Sequence, residues 1–383
     1  MGVGIAFVGC GYVSDFYMST LANWEGLLDL RGVYDRRSER MEAFRATYNV
    51  PTYGTLEEVL ADPEVQIVVN LTNPSEHYGI TRAAFEAGKH VCSEKPLAMD
   101  MDEARHLVEM SRETGLHLAP APASLMGEAA QTLWRAVRER RLGAPRLVYA
   151  ELDDGMVHRI GYERWKTKSG AYWPAEDEFR TGCTMEHAGY ALTWLVGMFG
   201  PARHLVSAGG CLVQDKGPHT PDNYTTPDFT VATLSFDNGV MARMTNSILA
   251  PHDHRFRVIC DDGRFEVEEL WDFKAKVREI PLPKTRVQRK LQKVFRTDGG
   301  RTVPPVRTRS IKSAKAGYPM DFCAGIAELA SALMEDRTPR LTAEFGLHIT
   351  ELSLAIQHPE QFGTAFTPTT TLAPIEPMEW AKA

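Results

Sequence analysis

Gly4-Ile5-Ala6-Phe7-Val8-Gly9-Cys10-Gly11-Tyr12-Val13-Ser14 opens the chain as a short apolar run that passes directly into a glycine-rich turn. Such a run, closed by glycine, suits a strand buried on both faces of a parallel sheet. The first glycine permits the tight turn. The second lets the backbone approach a pyrophosphate, which then sits at a helix N-terminus whose free N–H groups and dipole favour anions. Ser14 stands where a third glycine would be and is small enough for helix–strand contact. Gly9, Cys10, Gly11, Tyr12 and Val13 are therefore the first candidates for holding a dinucleotide.

Working outward, a helix-length segment, 15–24, leads to a second strand, 28–34, that ends at Asp35, 24 residues beyond Gly11. An acidic residue there accepts hydrogen bonds from an adenosine ribose and repels a 2′-phosphate, which favours NAD over NADP. Arg36 and Arg37 follow immediately and keep NADP open, since either arginine could pair with a 2′-phosphate. Helices near 38–48 and 55–61, a strand over 65–71 and a helix over 77–87 continue the alternation. Such alternation implies a parallel sheet with right-handed crossovers, and ligands bind at the carboxyl ends of its strands. Thr72-Asn73-Pro74 falls at such an end, so these residues are candidates for lining the cofactor cleft; Asn-Pro is also a frequent turn dipeptide. His77, which opens the next helix, joins them, with a first-turn polar role as the plain alternative.

The next strand delivers Glu94-Lys95-Pro96. A lysine between a carboxylate and a proline at a strand end can be fixed in position and altered in pKa. Alone it reads as a surface salt bridge before a turn. At the sheet edge that also carries the glycine turn, Lys95 becomes a catalytic candidate where a nicotinamide would lie, with Glu94 beside it. A helix over 102–114 and a strand over 116–119 complete this platform.

At 383 residues the chain exceeds the length at which one hydrophobic core stops growing, so two domains are expected: 1–122, 123–363, and an arm over 364–383. Hydrophobic content of 43% and charge of 24% are those of a globular protein, and a net charge of −7 argues against nucleic-acid binding. No signal-peptide pattern precedes the first strand and no run reaches membrane-span length, so a cytoplasmic protein without a membrane partner is expected. Six widely spaced cysteines form no Cys-x-x-Cys pair, which suggests reduced, buried thiols.

Strand patterns dominate after Pro145: 146–152, 205–212, 229–236 and 240–248, the last two joined by Asp237-Asn238-Gly239, a strong hairpin signal. Asp261-Asp262-Gly263 joins 255–260 to 264–267 in the same way. His252-Asp253-His254 carries metal-ligand residue types but reads as a solvated turn, and no metal is expected. Trp165 and Trp173, with carboxylates over 176–178 nearby, suit stacking on a sugar ring or packing at the domain junction. The segment 284–315 is rich in Lys and Arg and reads as a solvated, partly mobile insertion. Residues 320–334 and 345–356 show helical apolar spacing.

The glycine-rich turn, acidic second-strand end, Asn-Pro turn and Glu-Lys-Pro at these intervals together resemble the glucose-fructose oxidoreductase, inositol dehydrogenase and rhizopine catabolism family, Gfo/Idh/MocA. The resemblance implies an α/β protein: an N-terminal doubly wound Rossmann sheet, then a C-terminal α/β domain with a large open, mainly antiparallel sheet, the substrate lying between. It also implies that Lys95 is the catalytic lysine and that Gly9, Gly11 and Asp35 contact the cofactor. Helices of 320–358 are expected to pack back on the first domain, and the chain to form a homodimer or homotetramer. The family's second catalytic element, an acidic residue with a histidine or tyrosine four positions later, matches Glu186 and Tyr190 within 181–190. Glutamate replaces the usual aspartate. His187, about 100° around the helix from Glu186, is the reserve candidate. The activity implied is NAD-dependent hydride transfer on a secondary alcohol of a sugar, cyclitol or related polyol, with Lys95 favouring a Tyr190 phenolate. The alternatives are a redox-cycling glycosidase or epimerase that retains NAD, and a non-catalytic dinucleotide-sensing regulator.

Overall fold

In the computed structural model, which describes residues 2–307 and 320–382, β1 (Val3–Val8) is buried along its whole length, as a central parallel strand must be. It pairs with β2 (Leu28–Tyr34) and β3 (Ile67–Asn70); β4 (His90–Ser93) and β5 (Leu118–Pro120) continue the sheet. The order is β2-β1-β3-β4-β5 with every neighbour parallel. The alternation of side chains along β1 separates two cores. Ile5 and Phe7 pack with Val69 and with Ile326 and Leu329 of the helix Ala324–Met334, whereas Ala6 and Val8 pack with Val68, Val91 and Leu107. Strand order reverses between β1 and β3, which is where an open α/β sheet opens its ligand crevice.

The second sheet has nine strands: β6 (Pro145–Asp153), β7 (Ala202–Gly210), β8 (Phe229–Phe236), β9 (Met241–Ser247), β10 (Phe256–Cys260), β11 (Gly263–Val267), β12 (Arg278–Pro281), β13 (Arg301–Thr302) and β14 (Ala365–Phe366). Their order is β13-β12-β11-β10-β6-β9-β8-β7-β14. Both expected hairpins form, β8–β9 around Gly239 (φ +79°) and β10–β11. The pair β6–β9 is parallel and the other pairs are antiparallel. One face is covered by the helices Glu128–Arg138, Cys183–Phe199 and Ala343–Gln357, with Trp194, Leu195, Phe256 and Ile356 in a shared core.

Two segments depart from their sequence reading. Within the basic stretch, Arg286–Phe295 is a helix started by a capping box between Thr285 and Gln288, and β13 pairs with β12; the part beyond 307 lies outside the described residues. In the C-terminal arm, β14 pairs with the edge strand β7, while Thr369 and Thr370 donate both hydroxyl and main-chain hydrogen bonds to the buried Glu351 carboxylate. Edge pairing and a satisfied buried charge hold this arm, neither of which shows as periodicity. No helix among the described residues is long and apolar enough to cross a membrane.

Candidate active site

The turn after β1 is shaped by two glycines with different duties. Gly9 has φ +105°, and a Cβ there would lie 2.6 Å from the Leu71 carbonyl oxygen, so the turn excludes side chains. A Cβ on Gly11 would meet nothing within 4 Å, which leaves an open approach to the backbone. Ser14 is fully buried and donates its hydroxyl to the Gly9 carbonyl (2.8 Å), tying turn to helix where a third glycine would have allowed contact. Asp35 accepts the Cys10 N–H (2.8 Å) and the Arg37 N–H (2.9 Å), so the second strand's acid also fixes the glycine turn. Arg36 pairs with Glu76. Gly9, Gly11, Asp35, Arg36 and Arg37 line one cleft, about 710 Å³, with Thr72 and Asn73. An open Gly11 beside an acid at the second strand's end fits an NAD-type dinucleotide.

A second cleft, about 890 Å³, continues from the first through Gly11, Leu71, Thr72 and Asn73. It is lined on one side by Tyr12, Val13, Pro74, Glu94 and Lys95, and on the other by Trp173, Glu178, Glu186, His187, Tyr190 and Trp271. Lys95 is delivered by the end of β4. The Glu94 N–H donates to the Asn70 carbonyl (2.9 Å), the Glu94 carboxylate accepts from Tyr17 (2.7 Å) and from the Lys95 N–H (3.1 Å), and the Lys95–Pro96 peptide is cis. Glu94 is therefore occupied in holding the loop. The Lys95 ammonium instead crosses the cleft to the Glu186 carboxylate.

Glu186 is presented by the first turn of the Cys183–Phe199 helix, where its charge meets the positive end of the helix dipole. That helix starts at Gly182 (φ +92°), and Gln357 bridges the junction by accepting from the Met185 N–H and donating to the Thr181 carbonyl. Glu186 and Tyr190 share a helix face, and both line the cleft.

The electrostatics correct one expectation. Burial works against the Lys95 ammonium, but the carboxylates of Glu186, Glu178 and Glu94 and the nearby Tyr190 outweigh it and raise its pKa. Lys95 is thus a held cation. Burial raises the Tyr190 pKa more than the Lys95 charge lowers it, so Tyr190 is a phenol at neutral pH rather than the phenolate expected from the sequence. The Lys95 cation is spent on Glu186. Glu178 was not singled out by the sequence reading; burial, then the charge of Glu186, push its carboxyl well above the usual range.

Other expected residues fall elsewhere. His77 is buried and lines neither cleft; its ring lies between the Pro96 carbonyl (Nδ1, 2.6 Å) and the Thr72 carbonyl (Nε2, 3.0 Å), joining the turn after β3 to the lysine loop. Trp173 lines the cleft. Trp165 packs behind it (ring centroids 5.1 Å apart) against a small core with Tyr162 and Phe179, so of the two tryptophans one faces the substrate space. Cys10 is buried, and its backbone rather than its thiol serves the turn. His187 reaches the cleft and its Nε2 donates to Asp154 (2.9 Å).

Within 252–254, His252 is exposed as expected of a solvated turn, but His254 is not. His254 is buried between Glu269 (3.0 Å) and Asp154 (2.9 Å), and against burial these two carboxylates raise its pKa to about 9. The partners come from strand ends about a hundred and fifteen residues apart, so local sequence did not reveal them.

Residues 3–121 match the family described as an oxidoreductase family with an NAD-binding Rossmann fold, GFO_IDH_MocA, and residues 130–266 match the GFO/IDH/MocA C-terminal domain. UDP-N-acetylglucosamine 3-dehydrogenase of Acidithiobacillus ferrooxidans is 31% identical over 144 residues, 38% of this chain and 43% of that protein. Trans-1,2-dihydrobenzene-1,2-diol dehydrogenase of Mus musculus is 25% identical over 239 residues, 62% of this chain and 65% of its own length. These alignments thus span less than two thirds of either relative. The crystal structure of aldose-aldose oxidoreductase from Caulobacter crescentus, complexed with glycerol, shares the fold with a TM-score of 0.74 at 20% identity, over 96% of this chain and 100% of that one. The chain belongs to the Gfo/Idh/MocA oxidoreductase family, with the family's NAD-binding Rossmann domain followed by its C-terminal domain.

Proposed function

We propose that this chain catalyses NAD-dependent hydride transfer between nicotinamide and a secondary alcohol or ketone carbon of a sugar, cyclitol or sugar derivative. The observation that carries this reading is the Lys95–Glu186 ion pair, which spans a cleft continuous with the open Gly11 turn. The bound nicotinamide supplies the hydride donor or acceptor. The chain supplies position and proton handling.

Lys95, held as a cation, acts on oxygen. Its ammonium donates to the substrate oxygen and stabilises the alkoxide character that develops as hydride departs or arrives. Glu186 fixes the ammonium in the cleft. In the oxidation direction the hydroxyl proton passes by way of the Lys95 ammonium to the Glu186 carboxylate, Lys95 giving up one proton as it takes the other, and in reduction it returns by the same route. Tyr190, a phenol, donates to the same oxygen. Glu178 faces the ring hydroxyls, and Trp173 offers an apolar surface to the ring; Asp177, beside Glu178, accepts from Asn73, linking the substrate side to the cofactor turn. The names of the two relatives, a UDP-N-acetylglucosamine 3-dehydrogenase and a dihydrobenzenediol dehydrogenase, support a ring alcohol as the reacting group.

The test is NADH formation followed by its near-ultraviolet absorbance across a panel of aldoses, cyclitols and sugar nucleotides, with Lys95→Ala as the control. Turnover of at least one member is expected, with the variant losing it. Equal turnover by the variant would sink the assignment of Lys95.

A further inference from the structure

We propose that Asp154, His252 and His254 form a site for a late first-row divalent cation of the zinc class, immediately behind the cleft wall. One ligand-type atom from each of the three lies within 4.8 Å of the others. A tetrahedral ion with bonds of about 2.0–2.1 Å holds its ligand atoms roughly 3.3 Å apart, so binding draws the three side chains together by up to about 1.5 Å.

The backbone beneath it is already fixed. Asp153 and Asp253 exchange main-chain hydrogen bonds (3.1 and 2.9 Å), the Asp154 N–H donates to the Ser247 carbonyl (2.8 Å), and the Leu270 N–H donates to the His254 carbonyl (3.0 Å). These bonds extend the ladders beyond β6, β10 and β11 and set Asp154, His254 and Glu269 side by side. The donors therefore sit on a rigid platform.

The side chains are arranged as metal ligands commonly are. The His254 ring is wholly buried, and one nitrogen, Nδ1, meets the Glu269 carboxylate at 3.0 Å. A ligating histidine characteristically gives its second nitrogen to a carboxylate in this way, which orients the ring. The other nitrogen, Nε2, faces Asp154 Oδ1 at 2.9 Å, so an ion bound there takes the place of the proton between them. Glu269 also meets His252 Nε2 (2.8 Å), so one outer carboxylate steadies both rings. The His252 side chain is 41% exposed and provides an entry path from solvent.

Chemistry selects the ion. Two imidazoles and one carboxylate suit zinc and its neighbours, whereas calcium and magnesium demand oxygen-rich shells. Three protein ligands leave a position for water or another oxygen ligand. The position matters for the cleft, since the second Asp154 oxygen takes the His187 Nε2–H, and His254 lies against Trp271 (ring centroids 4.3 Å); both His187 and Trp271 line the substrate space. An ion on Asp154 thus sits one carboxylate away from a wall of the active site.

The proposal is tested without NAD or substrate, so its outcome is independent of the hydride-transfer reading. The full chain, stripped with chelator, is titrated with Zn²⁺ alone and with Co²⁺ alone. One equivalent of Zn²⁺ retained after dialysis is expected, as is a Co²⁺ ligand-field spectrum that Zn²⁺ abolishes. His252→Ala, on the exposed side of the site, is the deciding variant; its affinity is expected to fall at least about tenfold while circular dichroism is unchanged. His254→Ala removes the buried ligand, and His204→Ala, on a distant surface strand, leaves binding intact. Failure of the wild-type chain to retain Zn²⁺, or equal retention by His252→Ala, overturns the site and leaves a purely ionic cluster around His254.

Discussion

The two walls of the cleft are built by different means. The cofactor wall is made of main chain: one contiguous turn, Gly9 to Val13, pinned by Asp35 and Ser14. The opposite wall is made of side chains: Trp173, Glu178, Glu186 and Tyr190 from the stretch 173–190, joined by the distant Trp271, with Asp154 and His254 behind them. A wall of main chain fails through geometry, and a wall of converging side chains fails through charge. The difference predicts how each responds to change.

The largest effect is expected at Lys95, whose ammonium reaches across the cleft to Glu186. Lys95→Ala should lower kcat by roughly a thousandfold, within the range for positioned proton-transfer groups, while NAD affinity in fluorescence titration changes little. A matched loss of cofactor binding would merge the two walls into one unit and break the comparison.

Acid tests the charge-based body next. His348, on the Ala343–Gln357 helix, is buried, accepts the Ala202 N–H (3.0 Å) and meets Thr370 of the C-terminal arm (2.7 Å). Burial, assisted by Arg203 and opposed by Glu351, lowers its pKa to about 4. Above the unfolded value of about 6.5 neither state binds the proton and its contribution is fully present; as pH falls from there to about 4 only the unfolded state binds it, and stability is lost. About 3 kcal/mol is at stake for this group. Denaturant melts of wild type and His348→Gln at pH 7 and 4.5 should show a smaller acid loss in the variant, and equal losses would remove His348 from the account.

The glycine turn separates folding from binding at the main-chain wall. Gly9→Ala should destabilise the fold by about 1–3 kcal/mol, because its φ and the Leu71 carbonyl both exclude a side chain. Gly11→Ala should leave thermal stability within about 0.5 kcal/mol of wild type yet weaken NAD about tenfold or more, since its Cβ projects into open space that the dinucleotide needs. Identical behaviour of the two variants would contradict the assignment of separate duties. The smallest effect divides the tryptophans: Trp173→Phe should raise KM a few-fold at unchanged stability, and Trp165→Phe should lower stability by about 1 kcal/mol at unchanged KM.

How much of this was legible follows from the same contrast. The parallel sheet, the hairpins at Gly239 and Gly263 and the Gly9, Asp35 and Lys95 positions could be read because each depends on neighbours in sequence. Glu178 could not be distinguished within the acidic run 176–178; only the pitch of the short helix Ala175–Thr181 turns Glu176 outward to Arg180 and Glu178 into the cleft. Asp154 and His254 meet because β6 lies between β9 and β10, an order that no local spacing encodes. His77 looked like a cleft residue because it follows a strand end, yet two carbonyl oxygens claim its ring.

One further contact bears on timing. Asp15, in the first turn after the glycine loop, accepts hydrogen bonds from the Ser169 N–H (2.7 Å), the Ser169 hydroxyl (2.6 Å) and the Thr167 hydroxyl (3.0 Å), while Arg40 reaches both the Cys10 carbonyl (2.8 Å) and Ser169 (3.0 Å). A loop of the second domain is thereby buckled onto the glycine turn. Loosening that buckle with Ser169→Ala is expected to speed NAD release in stopped-flow fluorescence more than it changes equilibrium affinity, and an unchanged release rate would show that the buckle does not gate the dinucleotide. Affinity and exchange rate are then set by different residues, the one by the turn and the other by Ser169, if that outcome is met.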